Sequence, residues 1–252
     1  MNCDIFIPIR LRSSRLPNKA MKEINGKPII KYLIERLQKS SMIRNIVVCT
    51  TIHESDNKLV EFLKNEKIKV FRGSEKDILD RFLNAAKEYH TEFLIAVDGD
   101  DIYADPSYVD DLVREYQRTK ADYIQILGVP IGFTPVGIKI TALEKICRLK
   151  MTDNTETGYG KFFTDNDLCE IKSIRPSLKT NFPEGLRLSL DYQEDYELAK
   201  KIFNELGNDF DIDSVLKFLN ERPELLRMLS DLELRWNEHW KKNLANFSVR
   251  DI

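Results

Sequence analysis

The first half of the chain alternates between two hydrophobic patterns, and this alternation restricts the possible folds more than any other feature. Short runs of Ile, Val, Leu and Phe predict buried strands, and each run precedes a segment whose apolar residues recur at helical spacing. Continuously apolar strands that alternate with helices indicate a parallel sheet with helices on both faces. The predicted strands are 3–9, 45–50, 67–71, 92–97 and 122–127, and the predicted helices are 28–40, 54–65, 75–89 and 106–118.

The second half of the chain is less regular. Residues 128–140 contain several Gly and Pro residues and are predicted as a turn-rich passage, and 151–166 as a mobile loop or a broken helix. We expect one α/β domain over 1–206 and a helical extension over 207–252 that packs on it. Further strands are predicted at 168–174 and 186–190, and further helices at 141–150, 195–206 and, as two or three short pieces, 211–240.

Composition and charge exclude several classes of function. A formal net charge of -2 and a pI of about 6.0 provide no basic excess, so no nucleic-acid partner is expected. No apolar run approaches the roughly 20 residues that span a bilayer, and no basic segment precedes the first apolar run, so neither a membrane span nor a signal peptide is expected. The four cysteines lack CxxC spacing and fit a reducing cytoplasm. Three scattered histidines disfavour a Ser-His-Asp triad, so catalysis should use carboxylates, a metal ion, lysine and arginine.

A basic loop, RLRSSRLPNK, directly follows the first predicted strand. Ligands of open α/β sheets bind at the carboxyl ends of strands, and guanidinium and ammonium groups bind phosphate oxygens. The loop is therefore a candidate polyphosphate site, formed by Arg10, Arg12, Arg15 and Lys19. A solvated basic surface loop is the alternative. The Walker motif GxxxxGK[ST] and the fingerprint GxGxxG are both absent, which disfavours ATPases and dehydrogenases of those types.

Acidic residues cluster at the end of the fourth predicted strand, in the sequence DGDD. Adjacent carboxylates repel one another unless a cation neutralises them, and oxygen ligands of this kind suit Mg²⁺. Asp98, Asp100 and Asp101 are therefore candidate groups of a metal site. Asp105, which precedes Pro106, is explained instead as the N-cap of a helix.

A further aspartate, Asp191, ends the predicted strand 186–190. It becomes a second candidate metal ligand if that strand lies beside the fourth predicted strand. Glu194 and Asp195 follow in the first turn of the next predicted helix, where negative charge suits the helix dipole. We therefore assign a structural role to these two residues.

The segment FRGSEKDILDR closes the third predicted strand and begins a helix. Capping of this helix by Ser74, with Gly73 before it, explains two of its residues. The remaining candidates, Arg72, Asp77 and Arg81, could border a bound nucleotide.

Four motifs in this order resemble the cytidylyltransferase family, which includes the synthetases of CMP-activated sialic acid and CMP-activated KDO. The motifs are RLRSSRLPNK with INGKPII, FRGSEKDILDRF, DGDDIYADP and RLSLDYQEDYEL, and together they span roughly residues 1–206. The chain most resembles the spore-coat polysaccharide (SpsF-like) branch. This resemblance implies a Rossmann-like nucleotidyltransferase fold of the glycosyltransferase-A type, a three-layer α/β sandwich with a mostly parallel sheet, and a homodimer.

The resemblance also implies roles for individual residues. Arg10, Arg15 and Lys19 would hold the triphosphate of CTP, and Asp100 with Asp191 would bind Mg²⁺. In this assignment the two arginines, Lys19 and Asp100 are the catalytic residues. The nucleotide would also be bordered by Arg12, Ser14, Arg72, Gly73, Ser74, Asp77, Arg81, Asp98 and Gly99.

The sequence departs from the family pattern at three places. The usual PGK reads Pro17-Asn18-Lys19, a mild change because asparagine tolerates left-handed backbone geometry. The usual GDxPLxxP reads GDDIYADP, and the Glu-His pair of many relatives is replaced by Glu156-Thr157-Gly158-Tyr159-Gly160. Because that loop lies on the acceptor side in the family, its divergence concerns the identity of the acceptor rather than the reaction.

The implied reaction is attack by an oxygen of an acidic sugar on the α-phosphorus of CTP, with release of pyrophosphate, for surface polysaccharide synthesis. The carboxylate of such an acceptor needs a cation, for which Lys161, Lys172 and Arg187 are candidates by their position in the variable half. Three alternatives stay open. They are a nucleotidyltransferase with another base or with a phosphosugar or phosphonate acceptor, a nucleotide-sugar-dependent glycosyltransferase that uses Asp98 and Asp100, and a nucleotide-binding regulator without catalysis.

Overall fold

The computed structural model describes residues 1–244 and 247–250 and is built around one mixed β-sheet. The strands are β1 (Cys3–Pro8), β2 (Glu23–Ile24), β3 (Lys27–Pro28), β4 (Asn45–Thr51), β5 (Lys69–Gly73), β6 (Phe93–Ala96), β7 (Tyr123–Ile126), β8 (Val136–Lys139) and β9 (Ile171–Ile174). Seven of them form the sheet, in the order β5-β4-β1-β6-β8-β7-β9. The other two, β2 and β3, pair with each other in a short antiparallel hairpin.

Helices precede or follow most strands, as the alternating pattern predicted. They are α1 (Ile29–Leu37), α2 (Asn57–Asn65), α3 (Ile78–Tyr89), α4 (Pro106–Thr119), α5 (Ile140–Leu149), α6 (Lys161–Thr164), α7 (Gln193–Leu206), α8 (Ile212–Asn220) and α9 (Pro223–Asn243). Short 3-10 turns lie at Lys19–Met21 and Glu54–Asp56. Within the described ranges, no helix combines the length and the apolar composition that a membrane crossing requires.

The sheet divides the core into two clusters, which confirms the predicted three-layer arrangement. Alternate residues of β1 show the division, because Ile5 and Ile7 belong to the larger cluster and Phe6 to the smaller one. Side chains of α3 and α5 complete the smaller cluster, and side chains of α1, α4 and α7 complete the larger one. The larger cluster also contains residues of α8 and of the first half of α9, among them Val215 and Leu229.

One strand, β8, runs antiparallel to both of its neighbours, whereas the other pairs of the seven-stranded sheet are parallel. The sequence analysis missed β8, since it assigned the whole passage 128–140 to turns. Gly137 explains the error. A Cβ atom at this position would lie 2.3 Å from Cζ of Phe93, so β8 needs glycine where it passes the phenyl ring. In the sequence, that glycine is indistinguishable from a turn residue.

The predicted strand 186–190 is also wrong. The segment is extended and buried, but it joins the sheet region through a single bridge between Arg187 and Ile131. The Leu188 N–H donates to the Ile131 carbonyl at 2.8 Å, and the Leu190 N–H donates to the Asp100 carbonyl at 2.8 Å. Its backbone therefore pairs with two loops. Its sequence has the apolar pattern of a strand because its leucines are buried. The second pairing brings the segment beside the loop that follows β6.

Strand register aligns the carboxyl ends of β4, β1 and β6 at one edge of the sheet. Pro8 of β1 lies opposite Cys49 of β4, and Phe6 of β1 lies opposite Ala96 of β6. The loops that follow these three strands therefore begin side by side. They contain the basic loop, the turn before α2 and the acidic cluster, so the fold concentrates the polar candidates of the first half at this edge.

A buried arginine on α1 connects this helix to the segment that follows α7. The Arg36 side chain is 1% exposed and donates hydrogen bonds of 3.1–3.3 Å to four backbone carbonyls, those of Tyr103, Ala104, Asn208 and Phe210. Burial lowers its pKa to about 10, so the guanidinium is still charged at neutral pH. The contact ties α1 to the segments that precede α4 and α8.

We predict that Arg36→Ala destabilises the protein by about 3 kcal/mol or more, because it leaves buried carbonyls without donors. The urea midpoint of unfolding measures this change. Lys39→Ala is the matched control, since Lys39 bonds the same 208–209 segment from an exposed position. Its midpoint should stay close to that of the wild type, and equal midpoints for both variants would contradict the prediction.

Candidate active site

A cleft of about 780 Å³ opens at the edge where the parallel strands end. Its walls come from the loop 10–19 after β1, the turn 51–56 after β4, residues 98–101 after β6, and the loop 156–160. Ser189, Asp191 and one face of α9 complete it. The cleft therefore collects the basic loop, the acidic cluster and Asp191, which are far apart in the sequence.

Lys19 lies among the charged groups of the cleft and joins three parts of the chain. Its Nζ donates hydrogen bonds to Asp100 Oδ2 at 2.5 Å, to Asp191 Oδ1 at 3.2 Å and to the Leu190 carbonyl at 3.0 Å. Burial alone would lower the pKa of Lys19, but the two carboxylates outweigh burial and raise this pKa above its usual value. Lys19 therefore stays charged, and the three groups selected from the sequence meet in one cleft.

The backbone of the basic loop is held by a buried aspartate that the sequence analysis did not select. Asn18 adopts the left-handed conformation, with φ 55° and ψ 26°, and its N–H donates to the Leu11 carbonyl at 3.1 Å. The Leu11 N–H in turn donates to Asp56 Oδ1 at 2.8 Å, and Asp56 also accepts from the Thr50 hydroxyl. Asp56 thus fixes the loop to the turn after β4. In the sequence it resembles any aspartate at the start of a helix.

Asp191 is almost fully buried and is surrounded by cations. Its Oδ1 accepts a hydrogen bond from Arg15 Nη2 at 2.7 Å as well as from Lys19, and its Oδ2 lies 3.4 Å from Arg187 Nη1. Burial would raise the pKa of Asp191, but the neighbouring cations outweigh it and lower this pKa. The carboxylate is therefore ionised and paired with protein cations.

Behind Asp191, a second ion pair sets the orientation of the backbone. Arg187 Nη2 bonds both oxygens of Asp195, at 2.9 and 3.0 Å, and Asp195 Oδ2 accepts from the N–H groups of Asp191 and Tyr192. Asp195 is therefore part of the N-terminal cap of α7, as the sequence analysis assigned. Glu194 also keeps its structural role, in an exposed ion pair with Arg235 at 2.8 Å.

The aspartates that follow β6 lie in different environments. Asp98 lines the cleft and accepts a hydrogen bond from the Tyr159 hydroxyl at 3.2 Å. Burial, together with the charge of Asp100, raises the pKa of Asp98 to about 7, so this carboxyl is partly protonated at neutral pH. Burial and the same charge also raise the pKa of Asp101. Asp105 caps α4 by accepting from the Ser107 N–H at 2.9 Å, as assigned from the sequence.

Gly99 contributes to the cleft through its lack of a side chain. A Cβ atom at this position would lie 2.5 Å from Cδ1 of Ile9, so glycine lets the loop after β6 pack against the end of β1. Two other residues assigned to the nucleotide from the sequence, Arg12 and Ser14, line the cleft with exposed side chains.

Of the candidates in the segment FRGSEKDILDR, only Arg81, which lies on α3, lines the cleft. Arg72 instead braces the turn after β4, because its guanidinium donates to the carbonyls of Thr51 and His53, both at 2.9 Å. The predicted cap is wrong as well, since α3 begins at Ile78 and its N-cap is Asp77. The residues that the structure does not bring to the cleft are Arg72, Gly73, Ser74 and Asp77. They cluster in the sequence because they shape the start of α3.

Arg81 is 1% exposed and is only partly satisfied. Its Nη2 donates to Glu156, while its Nε and Nη1 have no hydrogen-bond partner within the part of the chain that the structure describes. Glu156 also lies 3.6 Å from Arg10 Nε. Burial raises the pKa of Glu156, although both arginines oppose the shift. Arg81 therefore presents unused donors beside the cleft, and Glu156 is a further site residue that the sequence analysis noted only as a family departure.

The three cationic residues considered as partners of an acceptor carboxylate lie in different surroundings. Arg187 is fully buried and engaged by Asp191 and Asp195, and Lys172 pairs with Glu170 at 3.1 Å on β9, away from the cleft. Only Lys161 stays near the cleft, with its Nζ 5.6 Å from the centroid of the Trp240 ring.

Two carboxylates, those of Asp100 and Asp191, converge on the Lys19 ammonium group. No group of three or more potential metal ligands is found within the described ranges. Mg²⁺ typically keeps several waters and binds one or two carboxylates together with substrate phosphates. The pair therefore fits Mg²⁺ that arrives with a phosphate ligand, and it does not resemble a site that would retain a metal ion alone.

The profile of a family described as cytidylyltransferase matches residues 5–230 of the chain. An uncharacterized protein of Methanocaldococcus jannaschii is 30% identical over 90% of this chain and 94% of its own length. The spore coat polysaccharide biosynthesis protein SpsF of Bacillus subtilis is 26% identical over 89% of this chain and 97% of its own length. The 3-deoxy-manno-octulosonate cytidylyltransferase of Geobacter sulfurreducens is 25% identical, and this match covers 48% of each chain.

A solved structure agrees with these sequence relationships. The cytidylyltransferase of Leptospira borgpetersenii superimposes with a TM-score of 0.78 and 25% identity. The match covers 90% of this chain and 97% of the Leptospira chain.

We predict that Arg187→Met destabilises the protein by about 3–5 kcal/mol at neutral pH, because it leaves Asp195 and Asp191 buried without their shared cation. The loss should shrink as the pH falls and Asp195 takes up a proton, since neutralising that carboxylate removes the unpaired charge. Chemical denaturation at pH 5 and pH 8 tests both statements. Arg235→Ala, which breaks only the exposed pair with Glu194, should unfold like the wild type. A variant at position 187 as stable as the wild type at pH 8 would refute the role of this ion pair.

Proposed function

The chain belongs to the cytidylyltransferase family, and from this premise we propose that it transfers CMP from CTP to an acidic sugar and releases pyrophosphate. The family resemblance drawn from the four sequence motifs is thereby confirmed, and so is the class of reaction, nucleotidyl transfer. The nucleotide, the acceptor and the dependence on Mg²⁺ belong to the proposal.

The observation that carries the proposal is the arrangement of Lys19 between Asp100 and Asp191, with Arg15 also bonded to Asp191. In this state each protein cation neutralises a protein carboxylate. A triphosphate that brings a divalent cation can exchange partners with them, because phosphate oxygens can replace the carboxylates at Lys19 and Arg15. The released carboxylates, those of Asp100 and Asp191, would then be available to hold the metal ion. The exchange keeps every buried charge paired throughout binding, which low-dielectric sites require.

Mg²⁺ bound there would supply Lewis-acid polarisation of the α-phosphate. The side chains of this protein would bind and orient the substrates around that phosphate. Arg10, Arg15 and Lys19 would hold the phosphate chain of CTP, and Arg81 would offer its two unused donors to the nucleotide. Preorganised charges of this kind stabilise the charge that develops as pyrophosphate leaves.

One relative supports an acidic sugar as the acceptor, and a second supports a role in polysaccharide synthesis. The Geobacter relative is named for activating 3-deoxy-manno-octulosonate, an acidic sugar, and the Bacillus relative for a role in spore coat polysaccharide biosynthesis. We propose by analogy that the activated sugar of this protein enters a surface polysaccharide. A triphosphate clamp after the first strand is not needed by a glycosyltransferase that consumes a nucleotide sugar, and this disfavours that alternative.

We predict that Asp100→Ala or Lys19→Ala lowers kcat/KM by more than about 100-fold, equivalent to about 3 kcal/mol of transition-state stabilisation. The assay measures pyrophosphate release from CTP, with 3-deoxy-manno-octulosonate as the first acceptor tested. Other sugar acids and phosphosugars are then tested as acceptors, and other triphosphates in place of CTP. Lys22→Ala is the control, because Lys22 follows the same loop but lies outside the cleft. Near-wild-type turnover by both variants would overturn the assignment.

The partner exchange makes a second prediction, for Lys19→Met. Without the ammonium group the two carboxylates should bind Mn²⁺ about tenfold more tightly in the absence of nucleotide, and CTP in the absence of metal should bind about tenfold more weakly, each a change of about 1.4 kcal/mol. Calorimetric titration of Mn²⁺ alone and of CTP with EDTA measures the two affinities. Lys22→Met should change neither. Shifts of both affinities in the same direction would contradict the exchange.

A further inference from the structure

One face of α9 forms a wall of the cleft, although this helix lies at the far end of the chain. The residues of α9 that line the cleft are Trp236, His239, Trp240 and Asn243. Their spacing of three, four and seven positions places them on a single face of the helix. The two indole rings are stacked, with centroids 5.9 Å apart and planes inclined by 19°. The wall therefore combines a flat apolar surface with an imidazole and an amide.

The packing of α9 does not explain this aromatic face. The core residues of α9 are Leu225, Leu229 and Leu232, all in its first half, whereas Trp236 and Trp240 are only partly buried. Large aromatic side chains that line a cleft without being buried are typical of ligand sites, where they cover an apolar part of the ligand. The second half of α9 therefore has a surface suited to a small molecule.

The contacts of α9 locate this wall within the cleft. Arg235 lies 4.4 Å above the ring of Tyr192, directly after Asp191, and Arg15 lies 5.6 Å from the centroid of the same ring. Further along the helix, Trp240 lies beside Lys161, which directly follows the loop 156–160. That loop approaches β7, because a Cβ atom at Gly160 would lie 2.8 Å from the Tyr123 hydroxyl. The wall therefore extends from the neighbourhood of Asp191 toward the β7 and β8 side of the sheet, away from the turn after β4.

We propose that this face of α9 is the acceptor subsite, and that the acceptor is a sugar acid whose ring packs its apolar C–H face on Trp236 and Trp240. The inference rests on the proposed function and adds the residues that recognise the acceptor. The ring hydroxyls would bond the side chains of His239 and Asn243, which are the polar groups of the same face. Burial and the charge of nearby Arg15 lower the pKa of His239, which favours the neutral imidazole. A neutral imidazole offers one hydrogen-bond donor and one acceptor.

The chain contains only two tryptophans, Trp236 and Trp240, so intrinsic tryptophan fluorescence reports directly on this wall. The first experiment titrates the full chain separately with 3-deoxy-manno-octulosonate and with CTP plus Mg²⁺. Glucose 1-phosphate, a sugar that has a phosphate but no carboxylate, is the control ligand. We expect a saturable change in emission with the sugar acid and a smaller or absent change with CTP. Trp236→Phe and Trp240→Phe separate the contributions of the two rings.

The second experiment measures the KM of each substrate. Trp236→Ala and Trp240→Ala should each raise the KM of the sugar acid by about tenfold, the change expected for loss of about 1.4 kcal/mol of ring contact. The KM of CTP should change by less than about twofold, and the Phe variants should recover most of the acceptor affinity, because a flat ring is retained. Leu234→Ala is the control on the same helix, since Leu234 is 65% exposed and lies outside the cleft. Thermal melting of each variant establishes that it is folded.

The outcomes separate this inference from the function on which it rests. If the wild type releases pyrophosphate with none of the acceptors, the proposed function fails. If the wild type is active but the acceptor KM is unchanged in folded Trp→Ala variants, the subsite is wrong. A fluorescence response to CTP alone, with a raised KM for CTP in both Trp→Ala variants, would assign the wall to the nucleobase and would likewise overturn the inference.

Discussion

The candidate site depends on one interaction, the placement of the Lys19 ammonium group between two carboxylates. The partners of Lys19 are 81 and 172 positions away in the sequence, so the contact joins the loop after β1, the loop after β6 and the segment before α7. Asp191 is buried and could not be ionised there without a cation. Lys19 and Arg15 therefore supply the positive charge that this buried carboxylate requires.

The charges around the site form two layers with different roles. Lys19 and Arg15 line the cleft, whereas Arg187 is fully buried and bonds Asp195 behind Asp191. Asp195 in turn accepts hydrogen bonds from the backbone N–H groups of Asp191 and Tyr192, just before α7. The inner pair thus fixes the backbone that presents Asp191, and the outer cations pair with the Asp191 carboxylate from the side of the cleft.

The cleft is built by two different parts of the chain. Loops after β1, β4 and β6 follow parallel strands in register and supply the basic loop and the acidic cluster. The second half supplies Asp191, the loop 156–160 and one face of α9. The two parts meet where Glu156 bonds Arg81 and lies 3.6 Å from Arg10.

The sequence by itself determined the α/β class, because buried strands and helices leave periodic patterns that can be detected without knowing which residues are in contact. Ordered motifs gave the family, and the loops after the first and fourth predicted strands were identified as candidate parts of a site. The sequence also selected Lys19, Asp100 and Asp191 as a set, through motifs rather than contacts. It misplaced Arg72 and Asp77, since residues that begin a helix and residues that bind a nucleotide use the same polar side chains. Only the tertiary structure decided that β8 is a strand and that the segment 186–190 pairs with loops. It also showed that Asp56 holds the basic loop, that Glu156 bonds Arg81, and that two tryptophans of α9 reach the cleft. These features depend on contacts between distant segments, and such contacts leave no periodic signal in the residues that make them.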